Sequence, residues 1–328
     1  MSRAKILSTG SYLPEKVMTN HDLEEIVETS DEWITKRTGI KKRHIASDDE
    51  AASDLAVKAI NNALDQANLD VKDLDLILVA TVTPDTDFPS TGCWIQKKLK
   101  AKQIPAFDIS AACSGFIYGL TTARSFIESG LYENIALVGV ETLSKIINWN
   151  DRSTCVLLGD GAGAVILGPA EEDEESGILS SYLGADGSKG ELLIKRAGGS
   201  LNPTTQETLD KDMHYLEMKG REVFKQAVRV MKRSSIKALK TAGIKEKDID
   251  LLITHQANIR IIDSLGKRLH VPDDNVHVTV DEHANTSSAS IPLALDDANR
   301  KNKLKRGDNV LLTAFGGGLT WGSVVLRW

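Results

Sequence analysis

The stretch "VKDLDLILVA", beginning at Val71, returns as "EKDIDLLITH" at Glu246, and the matched aspartates Asp75 and Asp250 lie 250 − 75 = 175 positions apart. A second pair, "ENIALVGV" from Glu133 and "DNVLLTAF" from Asp308, aligns Asn134 with Asn309 at the same offset, 309 − 134 = 175. Two independent matches at one spacing point to a duplicated unit. The chain therefore reads as two similar halves, 1–172 and 173–328, joined near "GPAEEDEESG", whose Pro, Gly and acidic run mark an exposed connection. Each half alternates helical stretches such as "DLAVKAINNALDQA" with short Val/Ile/Leu-rich runs such as "LDLILVATV". That alternation predicts two α/β halves with largely parallel sheets covered by helices.

Bulk properties narrow the class. At 328 residues, 41% hydrophobic and 26% charged, the chain can build a large core and is not compositionally disordered. The N-terminal "MSRAKILSTGSYLPEK" has no apolar leader, and no window approaches the roughly 18 apolar residues of a membrane span, so a cytoplasmic protein without a membrane partner is expected. Cys93, Cys113 and Cys155 form no CxxC pair and are odd in number, which argues against a disulfide framework or a cysteine-rich zinc site, and no metal is expected. A net charge of −6 makes no case for nucleic-acid binding, while leaving room for a local basic patch that recruits an acidic partner.

Cys113 sits in "DISAACSGFIYGL". The preceding "IPAFD" reads as a short buried strand, and Phe116, Ile117 and Leu120 follow at one-turn spacing, so the cysteine falls at a helix N-terminus beyond a strand. Unpartnered N–H groups and the helix dipole favour a thiolate there, and Ala111, Ala112, Ser114 and Gly115 leave the sulfur open. A buried inert cysteine fits this stretch equally well. The duplication indicates what it faces: 113 + 175 = 288, and Ser288 lies inside "DEHANTSSAS". His255 follows the run "LDLLITHQAN" and so sits at another strand end. Ligands in α/β folds bind at the carboxyl ends of strands, so Cys113, His255 and Asn285 are predicted to converge between the halves. Each alone has a bland structural explanation, and their joint placement favours catalysis.

Three competing readings are weaker. "GDGAGA" at Gly159 imitates a dinucleotide fingerprint, but "AVILGP" follows with strand composition where that motif needs a helix. Gly159, Gly161 and Gly163 are instead predicted to form a tight turn between two core strands. A Cys–His–Asn protease suits the order of Cys113 and His255, yet the sequence lacks the Cys-Gly-x-Cys-Trp context. A non-catalytic binding scaffold is opposed by the intact Cys113, His255 and Asn285.

"AACSGF", "HQAN", "HANTSSASIP" and "AFGGGLTWGS" closely resemble the β-ketoacyl-acyl-carrier-protein synthase III family, and the resemblance runs from "GSYLPE" to "VVLRW". "DEWITKRTGI", "DRSTCVLLGDGAGAVIL" and "MKGREVFKQAV" belong to the same branch; "HANTS" aligns Asn285, and not the nearby His283, with the family's catalytic asparagine. The resemblance implies a thiolase-like fold, layered α-β-α-β-α, and an enzyme that initiates fatty acid synthesis. Cys113 would take the acyl group of an acyl-coenzyme A primer, acetyl-CoA by default, with backbone N–H groups of Cys113 and Gly317 holding the oxyanion. His255 and Asn285 would donate to the enolate formed when a malonyl thioester on acyl carrier protein loses carbon dioxide. Acyl-CoA is then a substrate and no cofactor is implied. The same resemblance places Trp33 and Arg152 around the adenine with Arg37 nearby, and Gly220, Asn258 and Phe315 along the substrate tunnel. It places Phe88, with residues 143–147, at the acyl pocket, and it implies a homodimer. A related condensing enzyme of a specialised pathway, using other thioesters, is the alternative. From Gly220 onward, Arg221, Lys225, Arg229 and Lys232 or Arg233 recur at helical spacing. This stripe, extended by Arg260, Lys267 and Arg268, reads either as the docking face for an acidic carrier protein or as a solvated helix face.

Overall fold

The duplicated aspartates do the same work in both halves. Asp75 accepts the Asn134 N–H at 3.0 Å and its own N–H donates to the Asn134 carbonyl at 2.8 Å. Asp250 accepts the Asn309 N–H at 2.8 Å and donates to the Asn309 carbonyl at 3.0 Å. Each pair ties the start of one strand to the start of its parallel neighbour, so the motif recurs because the register must be set twice.

The computed structural model describes residues 3–172 and 174–328. The expected boundary between 172 and 173 therefore falls against a residue outside the described ones. The first half contributes β1 (Ala4–Tyr12), β2 (Leu76–Ala80), β3 (Ala106–Ile109), β4 (Ile135–Thr142) and β5 (Asp160–Pro169), in the sheet order β1-β5-β4-β2-β3. The second contributes β6 (Gly177–Ala185), β7 (Leu251–Thr254), β8 (Val276–His277), β9 (Asn309–Gly316) and β10 (Thr320–Arg327), in the equivalent order β6-β10-β9-β7-β8. In each sheet the β2-like strand pairs parallel with both neighbours, whereas the two pairings at the other edge are antiparallel. The sheets are thus mixed and not largely parallel. β5 and β10 follow β4 and β9 as antiparallel neighbours, a pairing that needs no crossover helix.

Alternation along the strands builds the layers. Leu76 and Leu78 join the central core, while Ile77 and Val79 pack under the outer helix Ala52–Ala67. The central core holds the helices Gly115–Glu128 and Ser290–Arg300 between the sheets, and Gly220–Ala242 covers the far face of the second sheet. The result is the five-layered α-β-α-β-α sandwich that the resemblance implied.

Two local readings change. "IPAFD" yields β3, a half-buried edge strand with Phe107 exposed, because no strand follows it on that side of the sheet. Gly161 and Gly163 lie inside β5 and not in a turn. A Cβ on Gly163 would stand 2.5 Å from the Leu293 nitrogen, so this position is small because the helix Ser290–Arg300 crosses the strand at backbone distance. Gly139 in β4 is similarly constrained, since a Cβ there would lie 2.3 Å from the Ser288 carbonyl oxygen. Gly139→Ala should lower unfolding free energy by about 2 kcal/mol or more, read by urea denaturation, because the obstacle is backbone that cannot rotate away.

Candidate active site

Two three-residue 3-10 turns occupy the centre. Ala112–Ser114 leads into the helix Gly115–Glu128, and Ser287–Ala289 leads into Ser290–Arg300. Ala112 and Ser287, 175 positions apart, both adopt left-handed φ values, 47° and 48°. Cys113 and Ser288 are therefore equivalent in space as in sequence. Cys113 lies buried at the helix N-terminus as expected, pressed against the end of β9. A Cβ on Gly316 would stand 2.6 Å from the Cys113 nitrogen, whereas one on Gly317 would meet the Leu193 oxygen at 3.2 Å. The close backbone approach thus belongs to Gly316, with Gly317 lining the cavity beside it.

His255 directly follows β7, its N–H donating to the Thr313 carbonyl at 2.8 Å. Its Nδ1 lies 2.7 Å from Ser290 Oγ, and the same oxygen accepts the Gln256 N–H at 3.3 Å. A Ser290 hydroxyl that gives its hydrogen to Nδ1 leaves the imidazole hydrogen on Nε2, the tautomer able to donate into the cavity. Burial pushes the imidazole down to about 4, so the ring is neutral at ordinary pH. Asn285 is held by its backbone to Leu157 and Gly159, and its Oδ1 accepts the Ser287 N–H at 2.9 Å. Its NH2 is the group left to donate into the cavity.

Cys113, His255 and Asn285 line one cavity of about 270 Å³. Gly220, Asn258 and Phe315 line it too. A second, mainly apolar cavity of about 390 Å³ shares Cys113 and Asn285 and is walled by Val82, Leu143, Ile146, Leu158 and Ile194. Leu143 and Ile146 thus stand where an acyl pocket was expected. On this chain Phe88 is 87% exposed and does not line that cavity. The Asp85 carboxylate three residues earlier accepts the Ser53 N–H at 2.9 Å and the Ser53 hydroxyl at 2.5 Å, anchoring this loop to the helix Ala52–Ala67.

Trp33 carries the Arg37 and Arg152 guanidinium carbons at 4.6 and 4.9 Å from its ring centroid, within cation–π range. The three expected residues are together, with an arginine now occupying the stacking distance a base would need. Lys225, Arg260, Lys267 and Arg268 are all exposed, the first on Gly220–Ala242 and the others on the helix Ile259–Arg268. Phe224 and Val223, on the same turn as Lys225, line the cavity that holds His255.

One expectation reverses. The helix N-terminus was expected to favour the thiolate, but burial pushes the Cys113 thiol up to about 12, with the Ser287 hydroxyl pulling it back and Glu141 adding to the rise. Loss of hydration outweighs the local donors. Glu141 is itself a residue the motifs did not single out, although a lone acid in the apolar run "IALVGVET" is a signal of a buried polar role.

A buried thiol at a helix start, a neutral imidazole and an amide converging between two duplicated α/β halves define a thiolase-like condensing acyltransferase. The family described as 3-oxoacyl-[acyl-carrier-protein (ACP)] synthase III matches residues 107–187, and its C-terminal domain matches residues 239–328. The β-ketoacyl-[acyl-carrier-protein] synthase III of Caldanaerobacter subterraneus is 56% identical over 99% of this chain and 98% of the relative. That of Clostridioides difficile is 51% identical over 100% of this chain and 99% of the relative. The crystal structure of the Aquifex aeolicus 3-oxoacyl-[acyl-carrier-protein] synthase III superposes with a TM-score of 0.92 at 51% identity, covering 99% of this chain and 100% of that one. The chain belongs to the β-ketoacyl-acyl-carrier-protein synthase III family.

Two buried histidines make the fold acid-sensitive. His255 and His283 are both held down to about 4 by burial, against about 6.5 in an unfolded chain. Between those values the unfolded state binds more protons, so stability is fully present above pH 6.5 and is lost as pH falls toward 4. Denaturant titrations should show this decline. It should be shallower by about 1.4 kcal/mol per pH unit in His283→Gln, which removes one titrating ring.

Proposed function

We propose that the chain initiates fatty acid synthesis by moving an acyl group from coenzyme A to Cys113 and condensing it with a malonyl thioester on acyl carrier protein. The observation that carries this reading is the single cavity lined by Cys113, His255 and Asn285, which opens beside an apolar cavity sharing two of them. The Cys113 sulfur attacks the thioester carbonyl, and the backbone N–H groups of Cys113 and Gly317 are assigned to its oxyanion. Malonyl decarboxylation then leaves an enolate at the same place. The His255 Nε2–H and the Asn285 NH2 donate to its oxygen, the first because burial keeps the ring neutral and the second because an amide does not titrate. The enolate carbon attacks the acyl-enzyme, and Cys113 leaves. The reading invokes no resident cofactor. The apolar wall of the acyl cavity suits a small alkyl primer, with acetyl-CoA the first to test.

Coenzyme A is assigned to the cavity leading past Asn258, Gly220 and Phe315, with its adenine against Trp33 after Arg152 or Arg37 shifts from the ring. The carrier protein is assigned to the cations around that cavity, chiefly Lys225 and Arg260, because an acidic partner would meet them where its pantetheine arm enters. A homodimer is the proposed assembly, supported by the exposed edge of β3 and by the exposed apolar side chains of Phe88 and Phe107. Among the described residues no helix is long and apolar enough to cross a membrane. We assign the protein to the cytoplasm.

Intact-mass measurement after mixing with acetyl-CoA should show one acetyl group on the wild type, mapped to Cys113, and none on Cys113→Ala. His255→Ala and Asn285→Ala should still accept the acetyl group while malonyl decarboxylation falls about 10²-fold, the scale of losing an oxyanion donor. Acetylation at another residue in Cys113→Ala would sink the assignment. For docking, Lys225→Glu and Arg260→Glu should slow carrier-protein association and flatten its salt dependence, while acetylation by acetyl-CoA stays unchanged. Unaltered association at low salt would place the docking face elsewhere.

A further inference from the structure

Glu141 lies near the end of β4 in full burial, and among the described residues no Lys, Arg or His forms an ion pair with it. Donors from two distant segments meet it instead. Its Oε2 accepts from the Thr83 hydroxyl at 2.8 Å, the Val82 N–H at 3.1 Å and the Thr81 hydroxyl at 3.3 Å. Its Oε1 accepts from the Ser287 hydroxyl at 3.0 Å and the Ser288 N–H at 3.4 Å, with Ser288 Oγ 2.7 Å away. Each oxygen therefore faces a backbone N–H, which can only donate, so the surroundings are built for a group that accepts at both ends. Burying such a group is costly, and the segments it holds show its use.

We propose that Glu141 is a positioning residue that, through Ser287, keeps the Asn285 amide turned with its NH2 toward the enolate. The inference rests on Asn285 being an enolate donor. The Asn285 backbone is fixed separately, its N–H donating to the Leu157 carbonyl at 2.9 Å and its carbonyl accepting the Gly159 N–H at 3.1 Å. Its side chain needs its own hold, because an amide turned over about its last bond fills the same space and presents oxygen in place of N–H. An oxygen facing the enolate would repel the charge that the NH2 stabilises. The Ser287 N–H, 2.9 Å from Oδ1, selects the productive orientation, since a backbone N–H cannot accept.

Ser287 aims that N–H from a left-handed φ of 48°, a conformation a serine keeps only when its surroundings hold it. The duplication shows two ways of holding it. At the equivalent Ala112 the turn closes directly on backbone, where a Cβ on Gly316 would stand 2.6 Å from the Cys113 nitrogen and 3.1 Å from the Ala112 Cβ. At Ser287 the place of Gly316 is taken by Glu141, and the carboxylate accepts the serine hydroxyl. The second half thus holds with a side chain what the first half holds by close contact. His255, the other enolate donor, is oriented by Ser290 and the Thr313 carbonyl and makes no hydrogen bond with Glu141 among the described residues, so loss of the carboxylate falls on one donor. The other end of Glu141 holds Val82, a wall residue of the acyl cavity.

Glu141→Gln separates the two ends. The Val82 N–H, the closer of the two backbone donors, claims the single amide oxygen, and the NH2 then faces Ser287, which loses its acceptor. The test measures two rates on each variant: acetylation of Cys113 by acetyl-CoA, by rapid-quench mass spectrometry, and decarboxylation of malonyl-acyl-carrier-protein, as released carbon dioxide. Glu141→Gln should decarboxylate about 10-fold more slowly, as if about nine molecules in ten held the amide reversed, while acetylating within about 3-fold of wild type. Ser287→Ala cuts the same link from its other end and should show a similar loss of decarboxylation, which tests the inference even where Glu141→Gln fails to fold. In an Asn285→Ala background Glu141→Gln should cause no further loss, because no amide remains to be positioned. A loss of acetylation as large as that of decarboxylation in Glu141→Gln, wild-type decarboxylation in both single variants, or multiplied losses in the double variant would each overturn the positioning role. Wild-type decarboxylation in Asn285→Ala alone would instead overturn the enolate site of the proposed function.

Discussion

Each half of this molecule docks its central turn onto a strand of the other half, and the site exists only because of that exchange. The Ser287–Ala289 turn of the second half lies against β4 of the first, where Gly139 leaves no room for a Cβ beside the Ser288 carbonyl. The Ala112–Ser114 turn of the first half lies against the end of β9, where Gly316 admits the Cys113 backbone. Both turns carry a residue at left-handed φ, Ala112 and Ser287, a conformation that costs energy in a non-glycine residue and persists because packing on both sides enforces it.

The duplication is used asymmetrically. Gly316 and Glu141 are equivalent by sequence, 316 − 141 = 175. On one side of the pseudo-twofold axis the position is empty and a nucleophile's backbone fits there. On the other it bears a carboxylate that grips Ser287 and Ser288 and the 81–83 turn. The equivalent of Cys113 is Ser288, whose hydroxyl lies 2.7 Å from both Glu141 Oε1 and the Ala80 carbonyl and gives its one hydrogen to one of them. One half thus supplies the reacting atom, and its twin supplies the scaffold that positions Asn285.

Burial sets the protonation states that condensation needs. Excluding water keeps His255 neutral and therefore a hydrogen-bond donor without charge, which suits an oxygen that becomes negative only transiently. The same exclusion suppresses the Cys113 thiolate. A site good at stabilising an enolate is for that reason poor at spontaneously ionising its own nucleophile.

The repeat, the two α/β halves, the helix-start position of Cys113 and the strand-end position of His255 were all legible along the chain, because they follow from local periodicity and from a spacing of 175 that can be counted. The Trp33, Arg37 and Arg152 cluster was reachable only through family motifs, since no local pattern links residue 33 to residue 152. Strand direction was misread because short apolar runs carry no mark of parallel or antiparallel pairing, and the glycines of "GDGAGA" were misplaced because the helix that crosses them begins at residue 290. The thiol's acidity went the other way for the same kind of reason. A helix N-terminus is a local feature visible in one segment, but desolvation is the sum of every neighbour that the fold brings in, and for Cys113 that sum is larger.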